Sequence, residues 1–256
     1  MPSPLPASAA DPMRVSSLEA AILLACLAAP ALHAQGTPLG PGSVSPAAVV
    51  ARTDRFDLFW EGAAQPEGEY VLETRLAEVG GRPAVVRRET MSMLGEVVYA
   101  DSFALDRATL APLLLRSEGM NGGTDLCFSA RRVRGWVEEE GGRRKVDVRL
   151  AAPAFLAGSM DLVLGALPLA AGYQAELALY EPGEGRQTGR VSVAGPEEVR
   201  TDGGPLRAWR VEVRGSASSG TYWLREGSHV LVQFVAADRS MRMVRRGAAT
   251  ERSDTR

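Results

Sequence analysis

"GTYWLREGSHVLVQFVAADRSMRMVRR", residues 220–246, reads as three strands, "TYWL", "HVLVQFV" and "MRMVRR", joined by "REGS" and "AADRS". Successive side chains of a strand point to opposite faces, so Val230, Val232 and Phe234 share one face. His229, Leu231, Gln233 and Val235 share the other. Met241 and Met243 fall together, with Arg242, Val244 and Arg246 opposite them. Period two in three short consecutive runs is the pattern of a meander that closes a sheet.

The same period runs outward from this stretch. "EYVLETRLAEV" alternates, "GGR" turns it, and "PAVVRRETMSM" and "GEVVYADSFAL" follow before the bend "DRATLAP" and the run "LLLRSEGM". In "LRAWRVEVR", Trp209, Val211 and Val213 take one face, after the turn "DGGP" at 202–205. The 27 glycines and 16 prolines suit frequent turns, and the strands come too close together for helices between them. The expected fold class is therefore mainly β: a single antiparallel, strongly curved sheet or half-barrel, with one short apolar helix or bend near residues 155–169.

One hairpin can be placed in register from sequence. In "RGWVEEEGGRRKVDVRL", a two-residue turn at Gly141–Gly142 sets Glu140 opposite Arg143, Glu139 opposite Arg144, Glu138 opposite Lys145 and Val137 opposite Val146. Opposite charges across strands fix register. A calcium site would need carboxylates converging from a loop, and these alternate along a strand.

The exception to alternation is "FLAGSMDLVLGALPL", residues 155–169. It is apolar on every side, so it must be buried, and the concave face of a curved sheet is the place for it. Phe155, Leu156, Met160, Leu162, Val163, Leu164 and Leu167 are thus the candidate residues for an apolar ligand or a lid. As a plug the segment completes the core. As a lid it would move on Gly158, Gly165 and Gly172 to admit an acyl chain.

Several stretches in order carry a family likeness: "LDRATLAPLLLRSEG", then "MDLVLGALPLAAGYQAELALYEPGEGRQTGRVSV", "DGGPLRAWRVEV" and "GTYWLREGSHVLVQFV". From about Glu69 to Arg246 the chain resembles the exported bacterial proteins of the domain-of-unknown-function family 3108. Gly-Pro precedes "LRAWRV" where that family has a small residue and then an aromatic. The resemblance implies export and a curved β-fold, and it brings no catalytic residues with it. By analogy that fold is similar to the half-barrels that carry lipids or lipoproteins across envelopes.

The N-terminus reads as an export signal over residues 1–34. Arg14 precedes an Ala/Leu/Ile run from Ala20 to Ala31, and "ALHAQG" offers cleavage after Ala34. The run is too short to span a bilayer, and no later segment is long enough. Translation from Met13 rather than Met1 gives a simpler leader. Cys26 in "LLAC" is a lipoprotein alternative, but only about six apolar residues separate it from Glu19, against roughly 7–15 for a leader core. Residues 35–53 read as a flexible Pro/Gly-rich linker, 54–246 as one β-rich domain, and 247–256 as a frayed tail. The protein is expected outside the cytoplasm, in the periplasm or beyond.

Composition narrows the chemistry. With 29 basic and 31 acidic residues the formal charge is −2, which disfavours nucleic acid as a partner. Past the leader Cys127 is the sole thiol, expected buried and inert between Leu126 and Phe128, and no internal disulfide can form. His229 is the remaining histidine, expected at a rim beside a turn. No G-x-S-x-G, H-E-x-x-H, C-x-x-C or phosphate-binding loop is present, and one Cys with one His falls short of a zinc set. No catalytic, cofactor or metal residues are assigned. The reading is a non-enzymatic envelope protein whose concave face takes a lipid-like apolar molecule or a partner protein. A hydrolase built on His229 and a purely structural envelope role are the alternatives.

Overall fold

The computed structural model describes residues 37–46, 49–119, 122–139 and 142–247. The leader with Cys26, the tail from residue 248 and the hairpin tip at 140–141 lie outside them.

In the first half β1 (Arg52–Trp60), β2 (Gly68–Val79), β3 (Arg82–Met93) and β4 (Glu96–Asp106) are followed by four shorter strands. These are β5 (Pro112–Gly119), β6 (Gly122–Ser129), β7 (Arg132–Glu139) and β8 (Gly142–Arg149). A two-residue strand β9 (Phe155–Leu156) leads through a 3₁₀ turn at Ala157–Ser159 into the short helix α1 (Met160–Gly165). The second half comprises β10 (Gln174–Glu181), β11 (Gly185–Thr201), β12 (Gly204–Arg214), β13 (Gly220–Arg225), β14 (Leu231–Ala236) and β15 (Met241–Arg245).

Among the described residues all fifteen strands join one open sheet, antiparallel except where β9 runs parallel to β10. Its order is β8 to β1, then β15 back to β9. Two meanders therefore meet where β1 pairs with β15, and the strands that open and close the sheet's chain path sit at its centre. Local chemistry explains the connections. Val79 pairs with Arg82 around Gly80 and Gly81, both at positive φ (58° and 75°), the backbone that a tight hairpin matching strand twist requires.

The sheet curls until its flanks approach. Phe128 on β6 meets Tyr180 on β10 edge to face, with ring centroids 5.6 Å apart. The concave face buries Phe56, Leu72, Val85, Phe103, Leu115 and Leu126 against the segment that carries α1. The curved, mainly β fold with one short apolar helix stands as expected.

Four local expectations change. First, the β7–β8 hairpin is real but slipped by two residues: Glu139 pairs with Gly142, Glu138 with Arg143 and Gly135 with Val146. The even slip keeps every side chain on its face. It sets Asp147 opposite Arg134 and within 2.6 Å of Arg132, and stacks Arg143 over Trp136 at 3.9 Å. The expected register would have faced Asp147 with Trp136 instead.

Second, Cys127 is exposed, because Leu126 takes the inward position and Cys127 lies between Leu114 and Arg134 on the outer face. Third, a bulge breaks the alternation of β14. Gln233 pairs with Trp223 and Leu231 with Leu224, leaving Val232 as the extra residue. That turns Leu231 to the same side as Phe234. Fourth, part of the Pro/Gly-rich stretch is tied to the domain: Leu39 bonds to Glu176 and Ala178, Gly42 to Thr109 and Ser45 to Ala166.

Candidate functional site

The register of the first meander lines up inward residues in rows across the strands. One row runs Tyr70, Met91, Tyr99, and the next runs Leu72, Glu89, Asp101, Ser117, Thr124. Two polar rows thus cross a face that is otherwise apolar. Where they meet β13–β15 and the start of α1, a cavity of about 320 Å³ remains. Its apolar wall is Leu72, Met91, Leu231, Phe234, Met241 and Met243. Tyr70, Glu89, Tyr99, Asp161 and Tyr222 form its polar end. A second cavity of about 340 Å³ shares Tyr99, Gly158, Ala217 and Ser218 with it and continues toward Asp101, Ser117 and Glu181.

Charge is buried beneath this polar end. Arg87 on β3 is 0% exposed, and its Nη2 donates to Asp161 Oδ2 at 2.9 Å, tying α1 to the sheet. Arg87 Nη1 lies 3.8 Å from Glu89 Oε1. Tyr70 donates to Glu89 Oε2 at 2.5 Å, and Tyr99 donates to Asp101. Asp54 receives Arg245 at 2.7 Å across the β1–β15 seam and Arg52 of its own strand at 2.6 Å.

These surroundings move the carboxyl groups. Burial pushes Glu89 up to about 8, although Arg87 and the Tyr70 hydroxyl pull it down. Burial also raises Asp101, against hydrogen bonds from Ser117 and Tyr99. It lifts Glu181 to about 7 with help from Glu184 and Asp101. Glu89 and Asp101 are direct cross-strand partners, and like charges there repel, so a proton on Glu89 relieves the pair.

A stability slope follows. The unfolded chain releases the Glu89 proton near the ordinary carboxylate value and the folded chain near 8, so the folded form holds an extra proton between them. The stabilisation is complete below about pH 4.5 and is lost as pH rises through about 8. A tenfold difference in proton affinity between the folded and unfolded chain corresponds to about 1.4 kcal/mol. Urea unfolding of the wild type should show stability falling across this window. Glu89→Gln should remove the Glu89 share of the slope, most visibly between about pH 7 and 8, leaving the part due to Asp101 and Glu181. An unchanged slope in the variant would refute the assignment to Glu89.

The residues expected from sequence divide between roles. Met160 lines the first cavity beside Asp161, and Leu156 lines the second. Phe155, Leu162, Val163, Leu164 and Leu167 are buried in the packed core. His229, at positive φ after a turn, places Nδ1 3.1 Å from the Gly165 carbonyl oxygen, at the end of α1. Among the described residues no cluster of three His, Cys, Asp or Glu converges to hold a metal.

Sequence reading passed over Tyr70, Arg87, Glu89, Tyr99, Asp101 and Tyr222. The available signal was parity. Arg87 and Glu89 follow Val85 at two-residue steps, so they occupy inward positions of a strand whose neighbours there are apolar.

The family described as "Protein of unknown function (DUF3108)" matches residues 55–243, from within β1 to β15. The chain belongs to that family. The DUF3108 match thus covers both meanders, α1 and every side chain at the polar end of the cavity. No curated protein and no solved structure matches the chain.

Proposed function

We propose that this DUF3108 protein is an exported, non-enzymatic binding protein that holds an amphiphilic ligand between its concave sheet and α1. The cavity carries the reading. Its 320 Å³ lies at the lower end of the range for small-ligand sites, and it is apolar with a few convergent polar groups at one end. The Ala/Leu-rich run ending in "ALHA" supports export, with processing near Gln35 and a periplasmic or extracellular location. No helix among the described residues is long and apolar enough to cross a membrane. The hydrolase alternative draws no support from His229, whose ring nitrogen is engaged by a backbone carbonyl.

Native mass spectrometry of the protein purified from its own host's envelope tests both halves of the proposal. The expected species begins near Gln35 and carries a lipid-like adduct. Met241→Trp, which fills the cavity from its wall, should lose the adduct, whereas His229→Ala should keep it. An unprocessed mass would refute export. A wild type with no adduct, and no uptake of an apolar probe afterwards, would refute the binding role.

A further inference from the structure

The ionisable groups that face the first cavity are all acids or phenols. Glu89 and Asp161 present carboxyl groups, Tyr70, Tyr99 and Tyr222 present rings and hydroxyls, and no basic side chain lines it among the described residues. The cation nearest the polar end, Arg87, lies behind this layer. It contacts Asp161 at 2.9 Å and Glu89 at the longer distance of 3.8 Å. Its single charge is shared by Asp161 and, at longer range, Glu89, so two carboxyl groups at this end of the cavity face one cation.

Aromatic rings surround the same space. Phe234 packs against Tyr222 with centroids 4.7 Å apart, and Tyr70 and Tyr99 flank Met91 on the neighbouring strands. Ring faces attract cations, and a desolvated carboxylate beside them attracts cations further. An anionic head group would instead meet two carboxyl groups before reaching Arg87.

We propose that the cavity takes an amphiphile with a cationic head, an alkylammonium, whose charge pairs with Glu89 among Tyr70, Tyr99, Tyr222 and Phe234. This rests on the binding role proposed above and specifies its ligand. Glu89 is faced by Tyr70 from β2, Arg87 from its own strand, Tyr99 and Asp101 from β4, Asp161 from α1 and Tyr222 from β13. With the cavity empty, burial keeps a proton on Glu89 near neutrality. When the head group arrives, the carboxyl gives that proton to solvent and becomes the carboxylate counter-ion. One positive charge enters and one leaves.

The test compares octyltrimethylammonium, octanoate and 1-octanol by isothermal titration calorimetry. The cation should bind at least about tenfold more tightly than octanoate or octanol at pH 8. Its affinity should fall by up to about tenfold per pH unit below that, because Glu89 must first be deprotonated. Its apparent enthalpy should track the ionisation enthalpy of the buffer, reporting about half a released proton at pH 8 and close to one below about pH 7. Glu89→Gln should abolish the pH dependence and the preference for the cation. Octanoate or octanol binding as tightly as the cation, or cation binding without proton release, would overturn the head-group assignment while leaving the binding role intact. If none of the three binds, the binding role itself falls.

Discussion

Arg87→Met should destabilise the protein by about 3–5 kcal/mol, the cost of breaking a buried ion pair from one side. The guanidinium is 0% exposed and holds Asp161, whose side chain is 9% exposed at the cavity wall. Without it Asp161 either keeps a charge with no other cation in contact among the described residues, or must take up a proton. The arginine is not ideally served even in the native chain, since Nε and Nη1 lack hydrogen-bond partners. The pair is therefore better explained as a tether that places α1 on β3 than as a source of net stability. The double substitution Arg87→Met with Asp161→Leu separates the two effects. It replaces both charges with apolar groups and should recover most of the loss. Urea unfolding of the wild type and the two variants measures this. A single-variant loss below about 1 kcal/mol, or a double variant no better than the single, would contradict it.

How much of this was legible beforehand depends on the range over which residues communicate. Alternation is local, and it identified most of the strands, though not β1 or the short β9, together with the buried faces of β12 and β15 and the apolar segment around α1. The pairing of β1 with β15 depends on partners almost the whole domain apart, so no pattern in either strand announces it. The polar end of the cavity failed for the same reason. Tyr70, Glu89, Tyr99 and Tyr222 lie on four strands, and only register brings them together. Where local signals were read too literally, a second interaction decided. Opposite charges suggested one register for β7–β8, but the stacking of Arg143 on Trp136 and the contacts of Asp147 favour another. Leu231 joined the cavity because a single bulge reversed its parity.

Leu164→Ala should cost about 2–5 kcal/mol, the range for removing a fully buried leucine side chain from a packed core. Leu164 is 0% exposed, within α1, among side chains that fill the concave face. A movable lid would give back much of that loss by shifting, so the contacts that fix the segment decide the expectation. Arg87 holds Asp161, Ser159 Oγ donates to the Leu156 carbonyl at 2.7 Å, and Ser218 Oγ donates to the Ala157 carbonyl at 2.9 Å. Gly165, read from sequence as a hinge, has another reason to be glycine. A Cβ there would lie 2.9 Å from the His229 carbonyl oxygen, so the backbone of α1 is pressed against the turn before β14. Gly158 has open space around it, but the serine bonds on either side hold its neighbours. We therefore expect the segment to act as a fixed floor of the cavity, which it lines with Ala157, Gly158, Met160 and Asp161. Leu164 does not line that cavity, so the variant should bind an alkylammonium probe as the wild type does while melting markedly earlier. A small stability loss with altered probe uptake would show that the segment moves, and would replace the floor with a lid.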